Sequence, residues 1–321
     1  MINEKKLIAF GPVPSRRLGK SLGINNIPPK ICTYSCVYCQ LGRTKNMQVK
    51  QDEFYKPSEI VHAVKNKVKE ARIRKEPIDY LTFVPDGEPT LDINLGKEIE
   101  LLRSHGIKIA VITNASLIWE KKVQENLQKA DWVSLKIDTV DRDIWYRINR
   151  PHGSLKLEKI MNSISEFSQR FNGELVTETM LVENVNDSVD ALDETAVFIA
   201  GLKTKKSYIS IPTRPPAEHW VKPPKENMIV KAYDIFKEKG IDIEYLIGYE
   251  GNAFAYTGDL EKDILSIASV HPIREEGMKE LLDKSGSSWD VVKKLIDDDK
   301  LVETVYKNKR FYMRKIVRRN N

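Results

Sequence analysis

Three cysteines stand close together in a chain that has no others: Cys32, Cys36 and Cys39 are the only cysteines among 321 residues. Their spacing is Cys-x3-Cys-x2-Cys. Three thiolates in one loop can bind three irons of a [4Fe–4S] cluster and leave the fourth iron open to the amine and carboxylate of a small molecule. A structural zinc site normally has four ligands, and the nearest histidine in the sequence is His62. The pattern favours a cluster over zinc and over cysteines without a metal.

The overall composition is that of an ordinary soluble globular protein, with 41% hydrophobic and 31% charged residues and a formal net charge of +6. Cysteines this close together are poorly placed to pair as disulfides, and one would be left over. We therefore expect them to be reduced, as in the cytoplasm. No apolar run approaches the roughly 20 residues that span a bilayer, and the N-terminal residues do not resemble a secretory signal. These features predict a cytoplasmic protein that does not enter a membrane.

Helical and strand-like segments alternate from about residue 55 onward. Short apolar runs predict strands at 79–84, 108–113, 131–138, 174–182, 207–212 and 241–247. Helical spacing predicts helices at 57–74, 95–105, 120–129, 155–171, 189–202 and 225–239, the first with Ser58 as its N-cap. Strands that alternate with helices form a parallel sheet with helical crossovers. With one more strand before the cysteines, the pattern predicts an α/β barrel, or part of one, with its chemistry on the loops after the strands.

The cysteine loop resembles the signature of the radical S-adenosylmethionine (radical SAM) enzymes, Cys-x3-Cys-x-aromatic-Cys, with Tyr38 as the aromatic residue. The resemblance covers roughly residues 10–250 and implies a partial parallel (βα)6 barrel whose cluster loop, here 30–42, follows the first strand. It also implies a single [4Fe–4S] cluster and S-adenosylmethionine (SAM) as cofactors, and a low-potential electron donor such as ferredoxin or flavodoxin. In this family the reduced cluster cleaves SAM to a 5′-deoxyadenosyl radical, which abstracts hydrogen from a substrate.

The family's Gly-Gly-Glu-Pro motif has a counterpart in Asp86, Gly87, Glu88 and Pro89, where Asp86 replaces the first glycine. The resemblance implies that this loop holds the methionine amine of SAM. A carboxylate and backbone carbonyls at a strand end can receive an ammonium group. An ordinary Asp-Gly turn is the alternative.

Polar residues at the ends of later strands are candidates for binding the rest of SAM. Thr113 and Asn114 resemble the family's ribose contacts. Ser134, Lys136 and Asp138 share one face of the following strand, because alternate residues of a strand point to the same side. If this face looks into the barrel, Ser134 suits a ribose hydroxyl and Lys136 suits the SAM carboxylate. A simply solvated face is the alternative, although buried parallel strands rarely carry three polar residues in a row.

Fewer signals point to the substrate side of the site. Glu178 is the one candidate for a catalytic role, since it could reach the sugar or the substrate, and a salt bridge inside the barrel is its alternative. Arg16 and Arg17 could hold a phosphate or carboxylate of the substrate, although paired arginines are usually on the surface. The loops at 147–153 and 212–220 could line a substrate pocket.

The cysteine count also restricts the substrate class. Many radical SAM subfamilies bind a second cluster through further cysteines, and this chain has none. That disfavours the mechanisms of the wyosine-type tRNA enzymes, of peptide-modifying enzymes with cysteine-rich extensions, and of methylating or sulfur-inserting enzymes that use extra cysteines. The stretch GPVPSRRLG before the cysteines resembles a wyosine-related group of "Fe–S oxidoreductases". That resemblance implies cofactors but no substrate.

The alternation stops near residue 258, which predicts two domains, 1–258 and 261–317. The second would contain two short helices around a glycine turn and a basic hairpin, an arrangement that suggests a winged helix. Its candidate nucleic-acid-binding residues are Lys307, Lys309, Arg310, Arg314 and Lys315.

Several roles are open for this second domain. RNA binding, with tRNA as an example, is favoured because the bases of a wing commonly neutralise phosphates. Leader-peptide binding by strand addition would instead make this a peptide- or protein-modifying enzyme, and a dimerisation or lid unit would leave the bases solvated. A cluster-containing redox sensor that binds nucleic acid is a different class. The barrel argues against it, because a sensor would not need strand-end residues suited to SAM. The sequence does not determine the oligomeric state.

Overall fold

The structure is a computed structural model, and it describes residues 7–246, 259–270, 273–306 and 309–315. Its strands are β1 (Ala9–Ser15), β2 (Gly19–Ile24), β3 (Ile31–Cys32), β4 (Asn46–Met47), β5 (Tyr80–Phe83), β6 (Lys108–Thr113), β7 (Trp132–Lys136), β8 (Glu174–Met180), β9 (Lys206–Ser210), β10 (Ile243–Leu246), β11 (Ile273–Arg274), β12 (Leu301–Tyr306) and β13 (Lys309–Arg314). Its α-helices are α1 (Pro57–Ile73), α2 (Leu95–Leu102), α3 (Lys121–Leu127), α4 (Arg142–Ile148), α5 (Leu157–Arg170), α6 (Val189–Ala200), α7 (Glu226–Glu238), α8 (Leu260–Val270), α9 (Glu275–Ser285) and α10 (Asp290–Asp297). Within these ranges, no helix is long and apolar enough to cross a membrane.

Eight strands form one sheet in the order β1-β2-β5-β6-β7-β8-β9-β10. Every neighbouring pair from β2 to β10 is parallel, and β1 joins the edge as the antiparallel partner of β2. Helices connect the parallel strands: α1 follows β2, α2 follows β5, α3 follows β6, α4 and α5 follow β7, α6 follows β8, and α7 follows β9. These six crossovers confirm the predicted α/β fold with a mostly parallel sheet, and they bring the carboxyl ends of seven strands to one edge.

The sheet is buried on both faces. Val111 of β6 and Val133 of β7 belong to the core that the strands share with the helices. Their neighbours Ala110 and Trp132 point to the opposite face and form a second cluster with Tyr208 of β9. Because both faces exclude water, the strands are short, mostly apolar runs, which is why their positions were predictable.

Two details of the helices differ from the predictions. The N-cap of α1 is Lys56 rather than Ser58, so that prediction was wrong. Pro57 occupies the first helical position, where its missing N–H costs nothing, and Glu59 Oε2 accepts a hydrogen bond of 3.0 Å from the Lys56 N–H. The short helix α4 between β7 and α5 was not predicted.

The C-terminal part forms a unit of its own with the element order α8-β11-α9-α10-β12-β13. Its sheet has the order β11-β13-β12, with antiparallel pairing throughout. Helices α9 and α10 and the strands β12 and β13 match the predicted two helices and hairpin, whereas α8 and β11 were not predicted. The predicted boundaries at 258 and 317 lie outside the described residues, as do residues 307 and 308 between β12 and β13.

The C-terminal unit and the main sheet share one hydrophobic cluster. Phe10 and Val13 of β1 lie in this cluster together with Ile264 of α8 and Tyr312 of β13. Val84, which directly follows β5, packs against the same cluster. The C-terminal unit is therefore packed on the edge strand and beside the loop that leaves β5.

Candidate active site

The three cysteines lie in the loop between β2 and α1, at the edge where the parallel strands end. Backbone hydrogen bonds attach this loop to two other strand-end loops. The Lys30 N–H donates to the Asp86 carbonyl (2.7 Å), and the Val37 N–H donates to the Ile148 carbonyl (2.9 Å). The cysteine loop is thus fixed to the loop after β5 and to the end of α4.

The cysteine thiols are half-buried and interact electrostatically with one another. Burial raises the pKa of the Cys36 thiol to about 12, and it raises the pKa of Cys32 as well. Two side-chain amides point at these sulfurs: Asn149 Nδ2 is 3.4 Å from Cys36 Sγ, and Asn114 Nδ2 is 3.6 Å from Cys32 Sγ. Amide donors of this kind stabilise thiolates that are bound to metal.

A buried lysine beside the same loop supports a cluster as the bound group. Lys30 is 4% exposed, and among the described residues its Nζ has no hydrogen-bond partner. The ammonium interacts electrostatically with the thiols of Cys39 and Cys32 and with the carboxylate of Asp86. A buried cation without a partner is costly, and the negative charge of a thiolate-bound cluster would offset that cost.

The donor set also agrees with a cluster. In the described part of the chain, no group of three or more His, Cys, Asp or Glu is placed to hold a single metal ion. A [4Fe–4S] cluster makes a different demand, because each thiolate binds a separate iron. Three thiols, two amide donors to sulfur and one buried cation fit that group.

The loop after β5 makes direct contact with the cysteine loop through Gly87. A Cβ at Gly87 would lie 1.9 Å from the Ile31 carbonyl oxygen, and the N–H of the next residue, Glu88, donates to that carbonyl at 3.2 Å. Pro89 then begins the 3-10 turn Pro89–Leu91. Only a glycine lets the two loops come this close.

Asp86 brings a carboxyl group into this contact. The residue is 6% exposed, and burial raises its pKa to about 7, although the charges of Lys30 and Arg314 act in the opposite direction. Arg314 belongs to β13 of the C-terminal unit. The position where the family usually has glycine is therefore electrostatically connected to that unit.

Glu88 joins the loops after β5 and β6. Its Oε1 accepts from the Thr90 N–H (3.0 Å) and the Thr113 hydroxyl (2.6 Å), and its Oε2 accepts from the Asn114 N–H (2.8 Å). Burial raises the pKa of Glu88, and these donors oppose the rise. Both oxygens are thus occupied, so Glu88 joins the two loops to each other. Thr113 points at Glu88, while the Asn114 amide donates to Thr33 Oγ1 at 2.8 Å.

Glu178 is the centre of a largely buried ion-pair network, whose side chains are 13 to 18% exposed. The register of β7 and β8 places it beside Lys136, whose Nζ is 2.7 Å from Glu178 Oε1. Arg17, from the turn between β1 and β2, pairs with the other carboxylate oxygen and lies 3.5 Å from Ser134 Oγ. Burial alone would raise the pKa of Glu178, but Lys136 and Arg17 hold it well below its ordinary range. Glu178 thus forms the salt bridge that the sequence analysis gave as the alternative to a catalytic role. Arg17, a candidate for holding the substrate, pairs with Glu178.

A second buried network contains Asn149, which was not among the predicted site residues. Asp138 Oδ2 accepts hydrogen bonds from the Tyr38 hydroxyl and from Asn149 Nδ2, the latter at 2.7 Å. The Lys136 Nζ lies 5.0 Å from the centre of the Tyr38 ring. Asn114, Lys136, Asp138 and Asn149 also line one cavity. Asn149 lies in the loop 147–153, which was predicted only as a possible substrate-pocket lining, and no sequence pattern indicated its contacts with Asp138 and Cys36.

The two loops proposed as a substrate-pocket lining meet at the cysteine loop. The Glu218 carboxylate receives two hydrogen bonds from Arg43, from Nε at 2.8 Å and Nη2 at 2.9 Å, and it also pairs with Arg150. The Glu218 N–H donates to the Val37 carbonyl at 3.1 Å. Residues of both loops therefore bind the cysteine loop itself.

The basic residues of the C-terminal hairpin have acidic neighbours. Arg310 Nε lies 3.8 Å from Glu275 Oε2 and 3.9 Å from Glu303 Oε1, and Lys315 pairs with Asp299. Lys309 is exposed. Lys307 lies outside the described residues. The fold thus brings carboxylates from α9, β12 and the turn after α10 to residues 309–315, a stretch whose charged residues are all basic.

Comparison with known proteins identifies the family. A profile described as "Radical SAM superfamily" matches residues 26–196. A "UPF0026 protein" of Methanocaldococcus jannaschii, MJ1312, is 49% identical over 315 residues, which cover 98% of each chain. A "Probable dual-specificity RNA methyltransferase RlmN" of Streptococcus pyogenes is 25% identical over 66% of this chain and 60% of its own length.

Solved structures give the same fold. A radical SAM methyltransferase from Sphaerobacter thermophilus superposes with a TM-score of 0.57 at 15% identity, covering 71% of this chain and 66% of its own. The resemblance carried by the cysteine spacing is confirmed by these matches. The chain therefore belongs to the radical SAM superfamily, whose enzymes use a [4Fe–4S] cluster and SAM.

Proposed function

We propose that the protein cleaves SAM reductively at a [4Fe–4S] cluster held by Cys32, Cys36 and Cys39, and modifies RNA, with tRNA as the first candidate. When bound, the cluster and SAM would supply the 5′-deoxyadenosyl radical that abstracts hydrogen from the substrate.

The remaining roles fall to residues at the strand ends. The backbone of the loop 86–89 would meet the methionine amine, with Glu88 holding that loop to the end of β6. Asn114 would lie between Cys32 and the ribose, because its amide already points at that sulfur. Tyr38 would be oriented by Asp138. Lys136 and Ser134 would line the same strand face, with Glu178 fixing the lysine, so Glu178 acts as a positioning residue in this proposal.

One observation supports the cluster assignment most strongly. Three thiols share one loop, and amides contact two of them. Beside them lies the buried ammonium of Lys30, which has no hydrogen-bond partner in the described part of the chain. In a loop without a metal, burying the ammonium would cost free energy, and the thiols and amides would have no evident role. Together they form the surroundings that a negatively charged cluster needs.

The decisive experiment is anaerobic. We expect the protein, reconstituted with iron and sulfide and reduced with dithionite, to form 5′-deoxyadenosine from SAM, detected by mass spectrometry. Cys36→Ala should form none. If a fully loaded wild-type protein forms none in the presence of low-potential reductants and cell extract, the proposed chemistry is wrong.

The RNA part of the proposal concerns the C-terminal unit. Its element order, helix-strand-helix-helix-strand-strand, supports the predicted winged-helix-like domain of residues 261–317. Its packing beside Val84 and the electrostatic interaction of Arg314 with Asp86 support a position next to the cofactor loop. An RNA held by this unit would therefore be presented to the radical. The relative named as an RNA methyltransferase supports the same substrate class.

Binding to total tRNA at several salt concentrations tests this part. Each phosphate contact contributes roughly 0.7 to 0.9 to the slope of log affinity against log salt. Lys309→Ala/Arg310→Ala should therefore lower the slope by about 1.4 to 1.8, while the control Lys121→Ala/Lys122→Ala, on exposed residues of α3, should leave it unchanged. Salt-independent or absent binding would exclude RNA and favour the peptide-modifying alternative.

A further inference from the structure

Lys30 has an unusual position for a lysine, because its backbone is fixed on both sides. Its N–H donates to the Asp86 carbonyl (2.7 Å), and its own carbonyl accepts from the N–H groups of Lys45 (3.2 Å) and Asn46 (3.1 Å). Its φ angle is 67°, in the left-handed region that a side chain other than glycine seldom adopts. The fold thus holds Lys30 in a strained conformation at the base of the cysteine loop.

The side chain of Lys30 runs toward the cysteines. A Cβ built on Gly42, in the turn that follows Cys39, would lie 3.6 Å from Lys30 Nζ. The ammonium acts electrostatically on the thiols of Cys39 and Cys32. No other described residue accepts a hydrogen bond from this Nζ, and Asp86 Oδ1 is also without such a partner. Asp86 therefore acts on the lysine through its charge and accepts no hydrogen bond from it.

We propose that Lys30 is the counter-cation of the cluster, placed to stabilise its reduced state. This inference rests on the cluster of the proposed function but not on the cleavage of SAM. Reduction adds one negative charge to a cluster that three thiolates already make negative. A fixed cation in a buried environment favours the more negative state, since its field is poorly screened there. Lys30 therefore raises the reduction potential of the cluster toward that of the electron donor. It acts through its charge and does not take part in the reaction itself.

The test is a redox titration of the loaded protein, monitored by EPR and performed without SAM or substrate. Lys30→Met removes the charge and keeps the chain length, Lys30→Arg keeps the charge, and Lys45→Met removes an exposed lysine of the same loop. We expect Lys30→Met to lower the ratio of reduced to oxidised cluster at a fixed potential about tenfold, which is about 59 mV for one electron. Lys30→Arg should stay near the wild type, and Lys45→Met should change the ratio less than twofold, because solvent screens its charge.

Two further measurements complete the experiment. Iron and sulfide content shows whether each variant holds the cluster, and the melting temperature of the cluster-free protein shows whether it is folded. If Lys30→Met does not take up the cluster while Lys30→Arg does, the positive charge is needed even for cluster binding, which supports the inference more strongly. An unchanged ratio in loaded Lys30→Met overturns the inference. So does failure of both Lys30 variants to load, because the shape of the side chain would then matter and not its charge. A shift without 5′-deoxyadenosine in the earlier assay would refute the proposed function alone, and 5′-deoxyadenosine without a shift would refute this inference alone.

Discussion

Buried charges near the strand ends are neutralised by residues from distant parts of the sequence. Glu178 meets Lys136 from the neighbouring strand and Arg17 from 161 positions earlier. Forming a buried ion pair is close to neutral in free energy, because desolvation offsets the attraction. Removing one member is different, since the remaining charges stay buried without a partner. Glu178 is the shared member of this network, and its loss would remove the carboxylate that pairs with both Arg17 and Lys136.

We therefore expect Glu178→Gln to lower the free energy of unfolding at pH 7 by about 3 to 5 kcal/mol. Urea denaturation of the cluster-free protein measures the change. Glu174→Gln, an exposed residue at the start of the same strand, is the matched control and should change it by less than about 0.5 kcal/mol. Equal effects of the two substitutions would contradict a special role for Glu178.

The same network predicts a pH dependence. The folded pKa of Glu178 lies below its ordinary value of 4.5, so the unfolded chain binds a proton first as the pH falls. The stability that the charged form contributes is complete above pH 4.5 and is lost as the pH drops below it. The difference in unfolding free energy between the wild type and Glu178→Gln should thus be constant from pH 8 to 5.5 and should shrink toward pH 3. A difference that grows on acidification would show that the sign is wrong.

Asn149 allows a separate prediction, because its amide serves both Asp138 and Cys36. Asn149→Ala leaves a buried carboxylate with one donor fewer and should cost about 1 to 3 kcal/mol of stability. It also removes a donor to a cluster sulfur, so a loaded protein should lose iron faster in the presence of a chelator. Asn66→Ala, on the exposed face of α1, should match the wild type in both measurements. Retention of iron at the wild-type rate would show that the contact to Cys36 Sγ has no effect.

At this scale the sequence predicted residues that form a pattern and missed those that do not. The cysteines were identified by spacing, and Asp86 by its position in a recognisable motif. Glu88 was also identified, but two of its hydrogen-bond donors, Thr113 and Asn114, come from the end of β6 and could not be predicted from the motif. Asn149 and Lys30 are single polar residues outside any motif, and only their tertiary contacts show that they belong to the site.

Among the elements, the contact between the loop after β5 and the cysteine loop sets the position of the cysteines relative to the sheet. The Gly87 Cα approaches the Ile31 carbonyl so closely that even a methyl group would collide with it. Backbone atoms cannot move aside as a flexible side chain does. A change at Gly87 should therefore displace the loop that carries the cysteines while leaving the strands in place.

Gly87→Ala should lower the free energy of unfolding by about 1 to 3 kcal/mol and reduce the iron bound per chain after reconstitution by at least half. Gly153→Ala is the matched control, because a Cβ at Gly153 would meet no atom within 4 Å and its φ is not in the left-handed region. Iron analysis and thermal unfolding of both variants measure the two effects. Normal loading of Gly87→Ala would show that the loops can separate without affecting the cysteines.

The elements themselves were largely predictable, and the exceptions have clear reasons. Parallel strands buried on both faces give uninterrupted apolar runs, so β5 to β10 were found within a few residues. Helix α4 is seven residues long and contains four charged or polar side chains, so its periodicity is too weak to detect. Helix α8 lies almost wholly within the predicted second domain, where only the two helices around the glycine turn were identified. The N-cap of α1 was misplaced because a proline at the first helical position moved it two residues upstream.

For the whole molecule, the C-terminal unit is joined to the barrel and does not form a separate charged appendage. The sequence predicted a basic hairpin with candidate nucleic-acid-binding residues. The fold instead brings Glu275, Glu303 and Asp299 to Arg310 and Lys315, and it gives Arg314 an electrostatic partner in Asp86. Pairings of this kind depend on tertiary structure and are not visible in a charge run. The apolar cluster around Phe10 is what fixes this arrangement.

Ile264 tests that connection, because it is fully buried in the cluster shared by α8 and β1. Ile264→Ala should cost about 2 to 5 kcal/mol locally. Because it acts at the junction, we expect faster hydrogen–deuterium exchange in α8, β13 and β1, with unchanged exchange in α5 and β7. Val302→Ala, at a position 41% exposed on β12, should leave all of these segments at wild-type rates. If exchange rises equally throughout the chain, the unit and the barrel unfold as one cooperative body. If it rises only in the C-terminal unit and not in β1, the shared cluster does not hold them together and Arg314 has no fixed position beside Asp86.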